Sequence, residues 1–175
     1  PMVGASLVMP GPKLDGASVH SLLEDEAVTM SAAVPTVWLG LLQFMQTNDK
    51  KLSTLKHVGI GGSACPRIIT ESFEIQYGVR VTHAWGMTEL SPLGSFCAIK
   101  PETAALAGQA LYDLKQKQGY APFSVEMKIA DDSGRSLPRD GKTFGRLMVK
   151  GPSVSKGYYG IDTAILDEEG FFDTG

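Results

Sequence analysis

Between Val28 and Ala84 short apolar runs of strand length alternate with segments whose apolar residues recur at helical spacing, and this alternation constrains the fold more than any other feature. Val28-Thr29-Met30-Ser31-Ala32-Ala33 reads as a strand. Pro35 then stands where a first-turn proline is tolerated, and Val37, Trp38, Leu41, Leu42 and Met45 follow on one helical face. His57 to Ile60 is a second strand, running into Gly61-Gly62-Ser63-Ala64; Pro66 opens a helix carrying Ile69, Phe73 and Tyr77, and Val79 to Ala84 is a third strand. Upstream, Leu7-Val8-Met9 reads as a buried strand leaving at Pro10-Gly11-Pro12, and Asp15 caps a helix bearing Val19, Leu22 and Leu23. Parallel neighbours need a crossover connection, so the pattern predicts an α/β fold: a parallel sheet with covering helices. Ligands of such sheets bind at the carboxyl ends of the strands.

After about residue 105 the period changes. Val125, Met127 and Ile129 alternate with polar residues, Asp132-Ser133-Gly134 supplies turn chemistry, and Phe144 to Val149 reads as a further strand before Gly157-Tyr158-Tyr159-Gly160. The expected organisation is an α/β subdomain over 1–105 and a smaller all-β subdomain over 106–175, the change falling within Lys100 to Gln118. The 175 residues suffice for one core or two small subdomains without disulfides. Opening without an initiator Met and stopping at Phe171-Phe172-Asp173-Thr174-Gly175, the chain reads as an internal fragment.

Composition excludes several classes. With 16 Lys+Arg, 19 Asp+Glu and a net charge of −3, the chain lacks the basic stripe of a nucleic-acid binder. No uncharged apolar stretch is long enough for a spanning helix, and no export signal is legible at the start. Cys65 and Cys97 have no paired Cys or His neighbours, which points to reduced thiols and a cytoplasmic protein rather than a zinc site or disulfide.

Two strand ends carry candidate chemistry. Gly61-Gly62 would let a flat ligand approach the backbone, or would simply make a tight turn. In Trp85-Gly86-Met87-Thr88-Glu89 an aromatic able to stack, a hydroxyl able to meet phosphate and a carboxylate able to hold Mg²⁺ stand together. The plainer alternative there is a core tryptophan followed by a helix start, with Thr88 as its N-cap and Glu89 favouring the helix dipole. Asp131 and Asp132 read as solvated turn residues and Lys156 as a loop residue pointing to water.

Five segments in order carry a family resemblance: Val34-Pro35-Thr36-Val37-Trp38, Gly61-Gly62-Ser63-Ala64, Ala84-Trp85-Gly86-Met87-Thr88-Glu89, Val149-Lys150-Gly151-Pro152 with Gly157-Tyr158-Tyr159, and Gly170-Phe171-Phe172-Asp173-Thr174-Gly175. Together they resemble the acyl-adenylate-forming enzymes, in particular the medium- and long-chain fatty-acid CoA ligases. The resemblance implies that a carboxylic acid reacts with ATP to give acyl-AMP, from which coenzyme A then displaces AMP. It implies nucleotide contacts for Gly61, Gly62, Ser63, Ala64, Ala84, Trp85, Gly86, Met87 and Thr88, with adenine between Gly62-Ser63-Ala64 and the Trp85 ring. It further implies catalytic roles for Thr88 and Glu89, Mg²⁺ on Glu89, and acyl-substrate contacts for Trp38, His83 and Gly86. Plainer alternatives stand beside two of these: Trp38 as a helix face packing on the sheet, and His83 as a hydrogen-bonded structural residue.

The pattern also departs from the family. Gly119-Tyr120-Ala121-Pro122 sits where many relatives have Gly-Arg-Pro, and nothing matches their Ser/Thr/Gly-rich phosphate loop. The remaining parts of the same parent chain are therefore expected partners, and the fragment alone is expected to be inactive. An amino-acid adenylation domain is disfavoured because no carboxylate stands near Pro35; a non-catalytic nucleotide-binding module of the same fold is the other alternative. A homodimer and peripheral membrane association both remain open.

Overall fold

The computed structural model describes residues 3–175. They form two compact units, the first running to Ala84 and resuming over Cys97–Gly119, the second made of Trp85–Phe96 and Tyr120–Gly175.

The first unit contains α1 (Gly16–Asp25), β1 (Met30–Ala33), α2 (Pro35–Thr47), β2 (His57–Ile60), α3 (Arg67–Glu71), most of β3 (Arg80–Gly86) and, late in sequence, α4 (Gly108–Lys115). Asp15 caps α1 as expected, its two carboxylate oxygens accepting from the Ser18 amide at 3.0 Å and hydroxyl at 2.8 Å. The three strands are parallel, with Ser31, Val58 and Val81 in one row and Ala33, Ile60 and His83 in the row at the carboxyl end. Side chains alternate across a sheet, so these rows share one face, and Val58, Ile60 and Val81 pack there with Trp38, Leu41 and Met45 of α2 and Ile69 of α3. The other face carries small side chains in one row, Ala32, Gly59 and Thr82, and larger ones in the row before it, Met30, His57 and Arg80.

Three local expectations need correction or refinement. Leu7-Val8-Met9 forms no strand, and Leu7 and Met9 are exposed; the prolines at 10 and 12 remove ladder donors from a run too short to pair alone. The helix opened by Pro66 is interrupted: α3 ends at Glu71 and passes into a π-helical turn, Ser72–Gln76, although Ile69 and Phe73 are fully buried on the expected face. The stretch from Lys100 to Gln118 is structured, with a 3₁₀ turn at Pro101–Thr103 followed by α4. No residue of α4 is buried; polar contacts hold it, Arg67 donating to Asp113 at 2.7 Å and to Gln109 at 2.6 Å while Lys115 pairs with Glu74.

The second unit contains the Trp85–Gly86 end of β3, a 3₁₀ turn at Thr88–Leu90, β4 (Leu93–Phe96), and an antiparallel sheet of β5 (Glu126–Ala130), β6 (Arg146–Lys150) and β7 (Phe172–Asp173) in the order β5-β6-β7. The antiparallel sheet is what the period-2 alternation after residue 105 predicts. Val149 sits opposite Met127 on one side and Phe172 on the other, and these side chains enclose a core with Leu90 and Val154.

Candidate active site

In the first unit the parallel register brings the candidate residues to one edge. Because Ala33, Ile60 and His83 share a row, the next residues, Val34, Gly61 and Ala84, emerge together at the carboxyl ends of the strands. A Cβ on Gly61 would lie 3.2 Å from the Ala84 carbonyl oxygen, and one on Gly62 would lie 3.0 Å from Val34 Cγ1. Gly62 also has φ +83°, a conformation that side chains strain to adopt. The loop therefore lies flat against the strand ends while Gly62, Ser63 and Ala64 stay exposed, and buried Cys65 anchors its far side.

His83 is buried at the end of β3, and neither ring nitrogen has a hydrogen bond of normal geometry. Burial pushes its pKa below the usual histidine value, and the Ser63 backbone offsets this only in part, so the ring is neutral near pH 7. For the alternative of a hydrogen-bonded structural histidine the fold offers only the Ser63 backbone, and not at normal hydrogen-bond geometry. Trp38 is 1% exposed; its indole N–H donates to the Gly59 carbonyl at 3.2 Å and its ring meets Phe73 edge-on with centroids 5.5 Å apart. The same residue borders a cavity of about 900 Å³ lined largely by apolar side chains, among them Leu7, Leu22, Val28, Val34 and Val37, with Glu26 the one ionisable group. Neither His83 nor the Gly61–Ala64 loop borders that cavity.

The second unit carries the rest. Trp85 is half-buried, with Gly94 and Leu90 against its ring, and the absence of a side chain on Gly94 is what leaves room for the indole. The backbone of Gly86 lies against the Pro92 carbonyl, which accepts from the Met87 amide at 2.9 Å, so the segment doubles back tightly after β3. The capping alternative for Thr88 does not hold: Met87 occupies the N-cap position, without a side-chain bond, and Thr88 is the first residue of the turn. Thr88 is exposed, and its hydroxyl is not used as a cap.

Glu89 is the most constrained of the group. Tyr158 donates its hydroxyl to Glu89 Oε1 at 2.7 Å, and the Ser155 amide donates to the Glu89 carbonyl at 2.7 Å. The Tyr158 bond holds the carboxyl below the usual glutamate range, so it is ionised at neutral pH. In the sequence Tyr158 stands out only as part of the Gly157-Tyr158-Tyr159 segment, since no periodicity relates it to a residue as distant as Glu89. Among the described residues no three His, Cys, Asp or Glu side chains converge as a metal cage. A single carboxylate with a free second oxygen still suits Mg²⁺, which is commonly held by one or two carboxylates together with phosphate oxygens and water.

The remaining sequence candidates are ordinary. Asp131 organises the β5–β6 connection, accepting from the Ser133 hydroxyl at 2.6 Å and from the Arg135 amide at 3.0 Å, and its pKa is lowered to about 2 chiefly by the Ser133 hydroxyl. Lys156 is exposed, and Tyr120 pairs its backbone with Phe96.

The sequence model of the family described as AMP-binding enzyme matches residues 2–159. The chain belongs to that family. It is 44% identical over 174 residues to a medium-chain-fatty-acid–CoA ligase of Ectopseudomonas oleovorans, covering 99% of this chain and 32% of the relative. Among solved structures it resembles an anthranilate CoA ligase in complex with anthranoyl-AMP, with a TM-score of 0.78 at 19% identity over 98% of this chain and 31% of the other, which bears on the fold alone. It also resembles the o-succinylbenzoate coenzyme A synthetase of Bacillus subtilis in complex with ATP and magnesium, with a TM-score of 0.69 at 27% identity over 92% of this chain and 31% of the other. The chain thus spans about a third of the length of the curated relatives it matches. No helix among the described residues is long and apolar enough to cross a membrane.

Proposed function

We propose that these residues are the central part of an ATP-dependent acyl-CoA ligase. The observation that carries the reading is the turn after β3, where an exposed Thr88 hydroxyl and an ionised Glu89 stand side by side next to a half-buried Trp85. In this reading an oxygen of the substrate carboxylate attacks the α-phosphorus of ATP, the bond to the β-phosphate breaks, and pyrophosphate leaves. The thiol of coenzyme A then attacks the acyl carbon and AMP departs, a step whose support is the coenzyme A ligase activity of the named relatives.

Each residue has a task that follows from its place. Trp85 of the second unit offers an aromatic face for adenine. In the first unit Gly61, Gly62, Ser63, Ala64 and Ala84 offer backbone for the nucleotide contacts that the resemblance implies. Gly86 and Met87 form the tight return that sets Thr88, whose hydroxyl donates to the α-phosphate as negative charge develops there. Glu89 would hold Mg²⁺, which when bound supplies charge neutralisation at the phosphates. Neutral, buried His83 supports the strand end beneath the nucleotide loop, in reach of the substrate carboxylate's side of the site as the resemblance implies. Trp38 walls the acyl pocket; its support is the largely apolar cavity it borders, and the absence of a carboxylate near Pro35 favours an uncharged tail. A fatty acid fits that chemistry better than an amino acid. The protein would work in the cytoplasm with a carboxylic acid, ATP and coenzyme A as substrates, and the rest of its own chain would supply the phosphate loop that these residues lack.

The deciding experiment is Glu89→Gln in the full-length enzyme, assayed by fatty-acid-dependent exchange of pyrophosphate into ATP. The substitution keeps the shape and removes the charge, so a loss of about 100-fold or more is expected, as for removal of one transition-state electrostatic contact. Unchanged exchange would remove the metal role from Glu89 and with it the centre of this reading.

A further inference from the structure

One loop grips Glu89 at two points. The Ser155 amide holds its backbone carbonyl and the Tyr158 hydroxyl holds Oε1, both at 2.7 Å. The loop is itself ordered, since the Ser155 hydroxyl donates to the Gly157 carbonyl at 2.9 Å and Val154 shares a buried cluster with Leu90, the residue after Glu89. A glutamate on a three-residue turn would otherwise have three free side-chain torsions, and fixing a long charged side chain has a large entropic cost. The phenol meets that cost before any ligand arrives. It is also a neutral donor, so it orients the carboxylate without cancelling the charge, as a lysine or arginine would. Lys156, two residues away, makes no ion pair with any described residue. Tyr158 is 44% exposed, so packing alone does not account for where its hydroxyl points.

We infer that Tyr158 is a positioning residue for Glu89, fixing Oε1 so that Oε2 alone is presented to the divalent cation that accompanies the nucleotide. The inference rests on the reading of Glu89 as the cation carboxylate and adds a residue to it. The Gly157-Tyr158-Tyr159 segment then has a part in the site rather than serving only as a connection.

The test uses the full-length enzyme with Mn²⁺ as the probe, its binding in the presence of a non-hydrolysable ATP analogue followed by electron paramagnetic resonance, alongside KM and kcat for Mg·ATP in pyrophosphate exchange. Tyr158→Phe should weaken Mn²⁺ binding and raise KM for Mg·ATP about five- to tenfold, the scale of one lost hydrogen bond to a charged group at a partly exposed site. The change in kcat should be smaller. Tyr159→Phe, at a fully exposed ring, should match wild type. In a Glu89→Gln background Tyr158→Phe should have no further effect on Mn²⁺. If Glu89→Gln abolishes Mn²⁺ binding while Tyr158→Phe binds like wild type, the positioning role is wrong and the metal role stands. If Glu89→Gln itself leaves Mn²⁺ binding intact, the metal role is wrong and the positioning role goes with it. A Tyr158→Phe enzyme with lowered melting temperature and unchanged Mn²⁺ affinity would reduce the bond to a structural one and overturn the proposal.

Discussion

The candidate residues of the first unit are placed by strand register, whereas Glu89 in the second is placed by two hydrogen bonds from a distant loop, one from a backbone amide and one from a side chain. Gly61 and Ala84 reach the same edge because β2 and β3 are parallel and paired at Ile60 and His83, and no polar side chain is needed to bring them there. Glu89, by contrast, sits on a three-residue turn and is held by Ser155 and Tyr158 from far along the chain. Placement by register draws its strength from the apolar core beneath the sheet. Placement by hydrogen bonds depends on a few polar groups at a wet surface, where each bond contributes little to folding and much to orientation. Substitutions in the two units should therefore fail differently, the first by unfolding and the second by misplacing a charge.

The largest effect on stability is expected from Trp38→Ala. The ring is 1% exposed, meets Phe73 edge-on and donates to Gly59 in β2, so its removal leaves a cavity and takes one donor from that carbonyl. A cost of about 3–5 kcal/mol is expected for such a truncation. Hydrogen exchange resolved by peptide should show protection lost across α2, β2 and α3 while β5 and β6 keep theirs. Equal loss in both units would mean that one core, not two, sets the stability of the molecule.

What the amino-acid pattern reveals follows the same division. The strands and helices from Val28 to Ala84 are legible because each buries an apolar stripe of the proper period, and Gly61-Gly62 announces a strand end that accepts no side chain. Leu7-Val8-Met9 misleads because an apolar triplet says nothing about whether a partner strand is available. The helix α4 is hidden for the opposite reason: no residue in it is buried, and its attachments to Arg67 and Glu74 are polar and distant in sequence. In the site, Thr88 and Glu89 can be chosen from their chemistry. The unpartnered nitrogens of His83 and the Tyr158 contact cannot, since both depend on which distant groups the fold brings close.

His83 sharpens the comparison at intermediate scale. Its folded pKa lies below the unfolded value of about 6.5, because burial disfavours the charged ring. Above that value the ring is neutral in both states and has no effect on the balance. As pH falls below about 6.5 the unfolded chain takes up a proton that the folded chain refuses, so stability declines with acid until the folded pKa is reached. His57, shifted the same way by burial and then by the Arg80 charge, adds to the slope. All three histidines, His20, His57 and His83, belong to the first unit, so between pH 7 and 5 it alone should loosen through histidine. His83→Leu should flatten most of that dependence and raise stability at neutral pH by up to about 1 kcal/mol, since a buried polar group without partners is removed. A destabilised variant with its acid slope intact would mean that His83 is hydrogen-bonded in solution and that the slope arises elsewhere.

The smallest effect belongs to Asp131, the counterpart in the second unit. Its carboxylate gathers the Ser133 hydroxyl and amide and the Arg135 amide, which lowers the pKa to about 2, yet the turn it organises is short and otherwise exposed. Because the folded pKa is depressed, its contribution is complete above about pH 4 and fades as pH falls from there toward 2, well below the range in which the histidines act. Asp131→Asn keeps the side-chain oxygen as an acceptor but removes the charge and replaces the second oxygen, which faces Arg135, with an amide donor. Exchange at the Ser133 and Arg135 amides should quicken by about two- to threefold, as expected for weakening single hydrogen bonds at an exposed turn, while β5 and β6 remain protected. Loss of protection through β6 would show that this unit, too, is held by a single cooperative core, and that a polar turn on its surface can reach the strand leading toward the Tyr158 loop.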